Sequence, residues 1–588
     1  METFQAQLAN KLSDALAKAD LPDAGELTPA TDPRFGDYQT NAALVLGKQR
    51  GKNPREIAAK ILEHVDVGEL SEQPTVAGAG FINFTLRPDA IAKKTTELLE
   101  DERLGVARTK LAKRIVIDFG SPNVAKPMHV GHIRSTVLGD ALARIATFLG
   151  HEVIRDNHIG DWGTQFGLLI YAWKFFPSLR TEEQLQRDPM AVLERLYKYA
   201  NAIAGGESDV QKLGSAAERR HAARFKAREV ARSELVKLQS GDPENVSIWK
   251  QCVDLSMQEF ERAYRLLDIH YDIQRGESFY NDRLTNEADR LLKSGIAEMS
   301  EGAVVVFFRD IPELADKPAI IRKKDGGFNY ATTDIATVDY RVNDLKADTI
   351  WYVVGAPQIL HFKQIFEIAR RAGYTADFRH ITFGSILGED RKLMKTRSGE
   401  NVPLRDLLNE AMQRARKIVE EKNPDLSDAD KIDIAQKIGI GAVKYYDLSQ
   451  YRMTDYVFSW DRMLALQGNT APYLQNAYVR IRSIFRKAGE SAPKIDNLVL
   501  RDAAESNLAK RLCQFAETVP QVLNDFRPNI LANYLFELAD NFHTFYEACP
   551  VLRSEEPVRS SRLALCNLTG RVLERGLDLL GIKVPEKM

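Results

Sequence analysis

Between Ile115 and Leu149 the chain passes from a short β-branched run, Ile115-Val-Ile117, through a segment broken by Ser121-Pro-Asn123 and Pro127, into an amphipathic stretch that opens at Ile133. The spacing predicts strand, turn and helix in that order. His129, Gly131 and His132 then stand at the mouth of the helix. A helix N-terminus carries unpaired N–H groups and positive partial charge, so the junction suits a phosphate. Gly131 admits close approach by a backbone or a flat ring. Histidines three apart can donate to phosphate oxygens as negative charge builds there. Pairs of histidines spaced in this way are more often surface or capping groups, so the wider context has to decide.

That context is the whole run from Ser121 to His132, SPNVAKPMHVGH, followed by IRSTVLGDALARI. It resembles the nucleotide-binding signature of class I aminoacyl-tRNA synthetases, and in particular that of arginyl-tRNA synthetases. A second element, Arg391-Lys-Leu-Met-Lys-Thr-Arg-Ser-Gly399, stands where that class carries its KMSKS loop. Here it is degenerate as Lys392-Leu-Met-Lys395-Thr396, as in the arginyl branch, and only the two lysines and the hydroxyl keep the pattern.

At 588 residues the chain is too long for one core, and length alone suggests roughly three to five domains. With 44% hydrophobic and 28% charged residues it can bury several cores and shows no sign of wholesale disorder. Lys plus Arg number 81 against 82 Asp plus Glu, so net charge gives no pointer to nucleic acid, although a local basic patch remains open. Cys252, Cys513, Cys549 and Cys566 lie far apart without a CxxC, which indicates neither a zinc site nor a disulfide framework. No apolar run reaches the roughly 18 residues of a membrane span, and the start lacks a signal pattern. A cytoplasmic protein without a membrane partner is expected, and a monomer.

Phe4, Leu8, Leu12 and Leu16 recur every four residues and predict an amphipathic helix over the first twenty. Arg34 to Asn41 has turn chemistry, Pro54 to Leu62 has helical spacing, and Ala79 to Leu86 alternates as a strand. The glycine–lysine pairs at 47–48 and 51–52 are not a phosphate loop, because three residues rather than four separate the glycines and Asn53 follows the second lysine. Residues 108 to about 180 and about 300 to 400 alternate strands with helices, the pattern of an open parallel sheet. The strand candidates are Ile115–Ile117, Ala303–Phe308, Thr349–Val354 and His380–Ser385. Between them, about Thr181 to Leu267 reads as an inserted helical subdomain whose charges, Glu218-Arg-Arg and Lys226-Ala-Arg-Glu among them, are solvated faces. From about Leu404 onward the chain is helical. Tyr445, Tyr446, Tyr451, Tyr456, Trp460, Tyr473 and Tyr478 cluster there, followed by Arg480, Arg482, Arg486 and Lys487. Aromatics interleaved with cations suit single-stranded bases, and a helical core would look similar.

The resemblance spans nearly the whole chain and implies three parts. Residues 1–107 would be an N-terminal α+β domain contacting the tRNA elbow, with Phe81 and Asn83 as contacts. Residues 108–460 would be a Rossmann-like open parallel sheet with the helical insertion at about 181–267, and 461–588 an all-α bundle that binds the anticodon. The stretches Asn469 to Arg480 and Arg562 to Met588 look like that bundle, which puts forward Tyr473, Tyr478, Arg480 and Met588. By the same resemblance Asp118, Asn123, His132, Tyr330, Asp334 and Gln358 bind arginine. His129, Gly131, His132 and Lys395 bind ATP, and His129, His132, Lys126, Lys392 and Lys395 act in catalysis. ATP with Mg2+ enters as substrate, with no tightly bound cofactor and no protein metal site. Arginine and a cognate tRNA are the other partners.

An arginine site has to meet a planar cation with five donors, which carboxylates and neutral acceptors do well. Tyr330 and Asp334, four apart, would share one face of a helix, and Gln358 and His361 follow a strand, where open sheets bind ligands. The resemblance further implies that adenylate formation requires bound tRNA. The rivals are an HxGH nucleotidylyltransferase that works without tRNA, disfavoured by the aromatic C-terminal bundle, and an RNA-binding relative without activity, disfavoured by the presence of both histidines, Lys395 and the acidic pocket.

Overall fold

A computed structural model describes residues 1–205, 227–395 and 402–588. Glu218 to Lys226, Thr396 and Arg397 to Gly399 lie outside the described residues. The chain folds as two compact units, one of residues 111–414 and 450–460, the other of 1–110, 415–449 and 461–588.

The first unit is built on a five-stranded sheet. In chain order its strands are β1 (Arg114–Asp118), β2 (Glu152–Ile159), β3 (Ile273–Gly276), β4 (Thr349–Tyr352) and β5 (Asp377–His380). They lie in the order β5-β4-β1-β2-β3, and all four pairings are parallel. This is the strand order of a doubly wound sheet, which reverses between β1 and β4. Ligands collect at the carboxyl ends of strands flanking such a switch, and there Tyr352 stands beside Asp118, which stands beside Asp156.

Helix α1 (Val130–Phe148) follows β1 and is buried on nearly every side, which accounts for its apolar residues spreading beyond one face. At Gly139 a Cβ would lie 2.3 Å from the Phe119 ring, so only glycine lets the helix lie this close to the end of β1. The insertion is helical as expected, with helices Glu182–Arg187, Pro189–Gly205, Ala227–Gln239 and Pro243–Leu266. Its core joins Leu193, Leu196, Ile248 and Cys252 to Phe166 and Ile170.

Two strand expectations change. Ala303–Val306 belongs to a separate antiparallel three-stranded sheet with Glu298–Ser300 and Ala319–Arg322. A short run buried on both faces reads alike in either kind of sheet. The strand placed at His380–Ser385 is Asp377–His380, because the pairing of an edge strand owes more to its neighbour's register than to its own apolar content.

In the second unit helix Phe4–Lys18 is capped by the Thr3 hydroxyl and buries Phe4, Leu8, Leu12 and Leu16. Helix Pro54–Leu62 starts on the Asn53 cap with proline in its first turn. The stretch expected to be turn after Arg34 contains a strand, Tyr38–Thr40, in an antiparallel sheet with Leu27–Pro29, Phe81–Phe84 and Thr75–Ala77. The later part is all helix, from Asp428–Leu448 through Ala471–Ala488, Ala503–Cys513, Phe515–Asn524 and Asn529–Ala548 to Val558–Leu579. The four cysteines are free and buried. Among the described residues no helix is long and apolar enough to cross a membrane.

Candidate active site

The segment joining β1 to α1 is held in an unusual backbone path. Ser121 and Ala125 take positive φ angles of 45° and 63°, which side chains other than glycine rarely adopt. Hydrogen bonds fix both: the Ser121 N–H donates to Asn157 Oδ1 at 3.1 Å and the Ala125 N–H to Ser256 Oγ at 3.0 Å. Val124 N–H and Gly160 C=O join at 3.0 Å, so the turn is stitched to the end of β2. Asn123 and Lys126 emerge exposed from this loop, and the Lys126 ammonium lies 5.3 Å from the Tyr197 ring centre.

His129 is the N-cap of α1. Its Nδ1 accepts the Gly131 N–H at 3.1 Å, and Nδ1 of His132 accepts the His129 N–H at 3.1 Å, with the ring centres 4.0 Å apart. A Cβ on residue 131 would lie 2.8 Å from His129 Cε1, so glycine is what lets this ring fold back onto the helix mouth. Burial lowers the His129 imidazole. Burial, then the neighbouring His129, pushes His132 down to about 3. With Nδ1 accepting on both rings, each carries its proton on Nε2 and is a neutral donor at physiological pH. The pair thus serves as cap and as donors together.

The second motif is exposed at Lys392 and Lys395. Gly388 N–H donates to Lys392 C=O at 2.8 Å. Beyond the segment that is not described, Val130 N–H donates to Val402 C=O at 2.9 Å and Leu404 N–H to Met128 C=O at 2.8 Å. The chain leaving the second motif therefore pairs with the mouth of α1.

Behind these elements lies a charged cluster at the carboxyl ends of the strands. Asp118 is buried, accepts from Arg341 Nη2 at 2.8 Å and from Ser121 Oγ at 2.9 Å. Arg341 also donates to Asp156, from Nε at 2.9 Å, and stacks 5.2 Å from the Tyr352 ring centre. One guanidinium thus lies between two carboxylates. Burial raises Asp156, with Arg341 opposing.

Further out, Asp161 accepts from Ser278 N–H at 2.9 Å and Ser278 Oγ at 2.6 Å. Glu277, just past β3, is half-buried; burial, then Asp334 and Asp161, pushes it up to about 8. Asp334, on helix Tyr330–Asp339, meets His361 Nε2 at 2.5 Å. Among the described residues no lysine or arginine forms an ion pair with Glu277 or Asp334. Tyr330 is 68% exposed and Gln358 is exposed.

Arg341, Glu277 and Asp161 were not singled out by sequence. Glu277 follows Ile273-Gln-Arg-Gly276, an edge strand too polar to register as one, and Arg341 sits in a π-helical turn, Tyr340–Asp344, that breaks helical spacing. Such a bulge often marks a functional site.

In the second unit Phe81 is 37% exposed whereas Asn83 is 3% exposed, with its amide directed at the Phe81 carbonyl at 3.4 Å. Tyr473 and Arg480 gather around His543, at a ring distance of 5.1 Å and a hydrogen bond of 3.1 Å. Tyr478 is 3% exposed and faces the interior of the bundle. Met588 is half-exposed, near Glu586, which Arg482 and Arg486 hold.

A doubly wound parallel sheet with neutral imidazoles at the mouth of its first helix and a lysine motif tied back to that mouth is the catalytic architecture of class I aminoacyl-tRNA synthetases. The family model for the catalytic domain of class I (R) tRNA synthetases matches residues 94–460, the DALR anticodon binding domain 474–588, and the arginyl tRNA synthetase N terminal domain 4–86. The chain is 45% identical over 594 residues to a protein of Chromobacterium violaceum named arginine–tRNA ligase, covering all of both. It is 46% identical to one so named from Thermobifida fusca, covering 99% of each. Its fold is similar to the arginyl-tRNA synthetases of Plasmodium falciparum, TM-score 0.83 at 28% identity over 100% of both chains, and Thermus thermophilus, TM-score 0.83 at 26% identity over 99% of both. The chain belongs to the arginyl-tRNA synthetase family.

Proposed function

We propose that the acidic cluster at the carboxyl ends of the strands selects arginine for ligation to tRNA. As an arginine–tRNA ligase the enzyme joins arginine to ATP as arginyl-adenylate, releasing pyrophosphate, and then transfers arginyl to the terminal ribose of its tRNA. The observation that carries the choice of amino acid is Glu277 beside Asp334: burial and then Asp334 push the Glu277 carboxyl up, and neither carboxylate has an ion-paired lysine or arginine among the described residues. Such a pair favours a ligand cation over a neutral side chain. A guanidinium with five donors in a plane can meet both carboxylates at once. The Asp118–Arg341–Asp156 set retains a surplus negative charge, which suits the α-ammonium, with Asn123 and Gln358 as polar groups around it and Tyr330 covering the stem.

His129 and His132, as neutral Nε2 donors at a helix N-terminus, offset charge that gathers on the phosphates without themselves losing or gaining a proton. Gly131 leaves room for the nucleotide, and Lys126, Lys392 and Lys395 supply mobile cations. Mg2+ arrives as part of the ATP substrate. For tRNA, Phe81 offers an exposed ring for a base at the elbow, and Tyr473 with Arg480 a stacking and phosphate-binding face for the anticodon. Asn83, Tyr478 and Met588 shape those surfaces from within or beside them. The enzyme acts as a cytoplasmic monomer, with domains at 1–107, 108–460 and 461–588, and activates arginine only with tRNA bound. Charging of total tRNA with radioactive arginine tests the function, with lysine, glutamine and citrulline as controls. Equal charging with lysine would overturn the guanidinium reading.

A further inference from the structure

Within the second unit the N-terminal domain is joined to the C-terminal helices through a buried carboxylate. Glu517, on helix Phe515–Asn524, is 7% exposed. Its Oε1 accepts the Gln5 N–H at 2.9 Å, and its two oxygens lie 3.0 and 2.9 Å from the Tyr38 hydroxyl. Next to it Lys510 donates to Asp37 Oδ1 at 2.8 Å, while Asp37 Oδ2 accepts the Leu86 N–H at 2.8 Å. These partners are more than 470 positions apart in the chain.

Strand pairing and ring packing connect the contact to both candidate tRNA surfaces. Tyr38 pairs with Phe84, and Gln39 with Asn83, on the strand that carries Phe81. On the other side, Phe515 packs 5.8 Å from Tyr534, which lies on helix Asn529–Ala548 with Phe536 and His543. Those two rings lie 5.7 and 5.1 Å from Tyr473. Apolar packing alone would hold two domains at least as firmly as a buried carboxylate does, but it tolerates sliding. A carboxylate held by the Gln5 N–H and by the hydroxyls of Tyr38 and Thr3 is satisfied in a single arrangement.

We propose that Glu517, aided by Lys510, is a positioning clamp that fixes the spacing between the elbow-binding strand and the anticodon-binding face, so that a whole tRNA is captured as a bivalent ligand. Two weak surfaces held at the span of their ligand bind it with a high effective concentration, and that advantage falls when the spacing is free to vary. The inference rests on Phe81 and on Tyr473 with Arg480 being tRNA contacts.

The test uses the full chain carrying Glu517→Ala with Lys510→Ala, and separately Glu517→Gln, whose amide oxygen can still accept from Gln5 and Tyr38. Filter binding is measured with whole tRNA transcript and with its isolated anticodon stem-loop. Whole-tRNA affinity should fall about tenfold or more in the double variant, while the stem-loop stays within about twofold and KM for ATP and arginine does not move. Glu517→Gln should keep most of the affinity. Loss of stem-loop affinity in step with whole tRNA would mean damage to the bundle and would overturn the clamp, as would unchanged whole-tRNA affinity. Phe81→Ala in the parent separates the two levels: unchanged whole-tRNA binding there overturns the elbow contact, and the clamp with it.

Discussion

Glu277 ties amino-acid choice to pH. Its carboxyl is pushed up to about 8 by burial, Asp334 and Asp161, so in the free enzyme at pH 7 it is ionised only about one time in ten. A guanidinium placed against it favours the ionised form and displaces the proton. The sign follows directly. Arginine affinity rises with pH while the free carboxyl is protonated, by about tenfold from pH 6 to 7 and about fivefold from pH 7 to 8, and levels off above. Arginine's own guanidinium does not titrate in this range.

Glu277→Gln removes both the charge and the titration. At pH 8 it should weaken arginine use by about 2–5 kcal/mol, roughly thirtyfold to several thousandfold, the range for leaving one side of a buried charge pair unpaired. At pH 6 the parent carries a protonation penalty of about 2.7 kcal/mol that the variant lacks, so the ratio between the two should shrink by roughly fiftyfold. The assay is kcat/KM for arginine from pH 6 to 8, with ATP and tRNA saturating, alongside calorimetry in two buffers of different ionisation enthalpy. Close to one proton should be released per arginine bound at pH 7. A parent-to-variant ratio constant within about twofold across the range would refute the reasoning.

Asp334→Asn should also weaken arginine use by about 2–5 kcal/mol in kcat/KM, because the amide presents a donor to the ligand's donors, while KM for ATP is unchanged; a variant within about threefold of the parent excludes the contact. Lys395→Ala should slow tRNA-dependent ATP–pyrophosphate exchange by about 2.7–4 kcal/mol with arginine affinity retained, and a tenfold loss of affinity at unchanged turnover would be the contrary result. His132→Ala should cost a similar amount in exchange rate at saturating arginine; since His132 is held near 3, the parent's rate should show no histidine inflection near pH 6.5 that the variant lacks. Arg341→Met should lower unfolding stability in urea by about 3–5 kcal/mol by leaving Asp118 and Asp156 facing each other without a cation, and a loss under about 1 kcal/mol would mean that Asp156, already raised by burial, takes up a proton instead.

The parts of the fold legible in sequence are those where one side of an element meets solvent or where a residue type fixes the backbone. The leucine spacing of the first helix, the capped start at Asn53 and the strand–turn–helix at Ile117 to Ile133 each carry such a mark. Edge strands do not. Ile273-Gln-Arg-Gly276 pairs on one side only and needs little apolar content, and Ala303–Val306 is apolar on both faces, so its own residues are silent on whether its neighbours run parallel. That is decided by antiparallel pairing with Glu298–Ser300 on one side and Ala319–Arg322 on the other.

The site divides along the same line. The placement of His129, Gly131 and His132 at the helix mouth is legible because the capping and close approach that set it act within four residues. The amino-acid pocket is assembled from residues separated by tens to hundreds of positions, and what makes it acidic is an imbalance. Arg341 reads as one more surface cation until the fold buries it between Asp118 and Asp156, and Glu277 reads as one more helix-start acid until Asp334 and Asp161 close on it without an ion-paired lysine or arginine among the described residues. On the proposed reading, selectivity for a cationic amino acid lives in carboxyl groups that the fold brings together, which no local pattern records. It follows that moving a positive charge into this cluster, as in Ser278→Lys, should abolish arginine selection more completely than removing either carboxylate. The new ammonium would pair with the carboxylates that the ligand's guanidinium is proposed to meet.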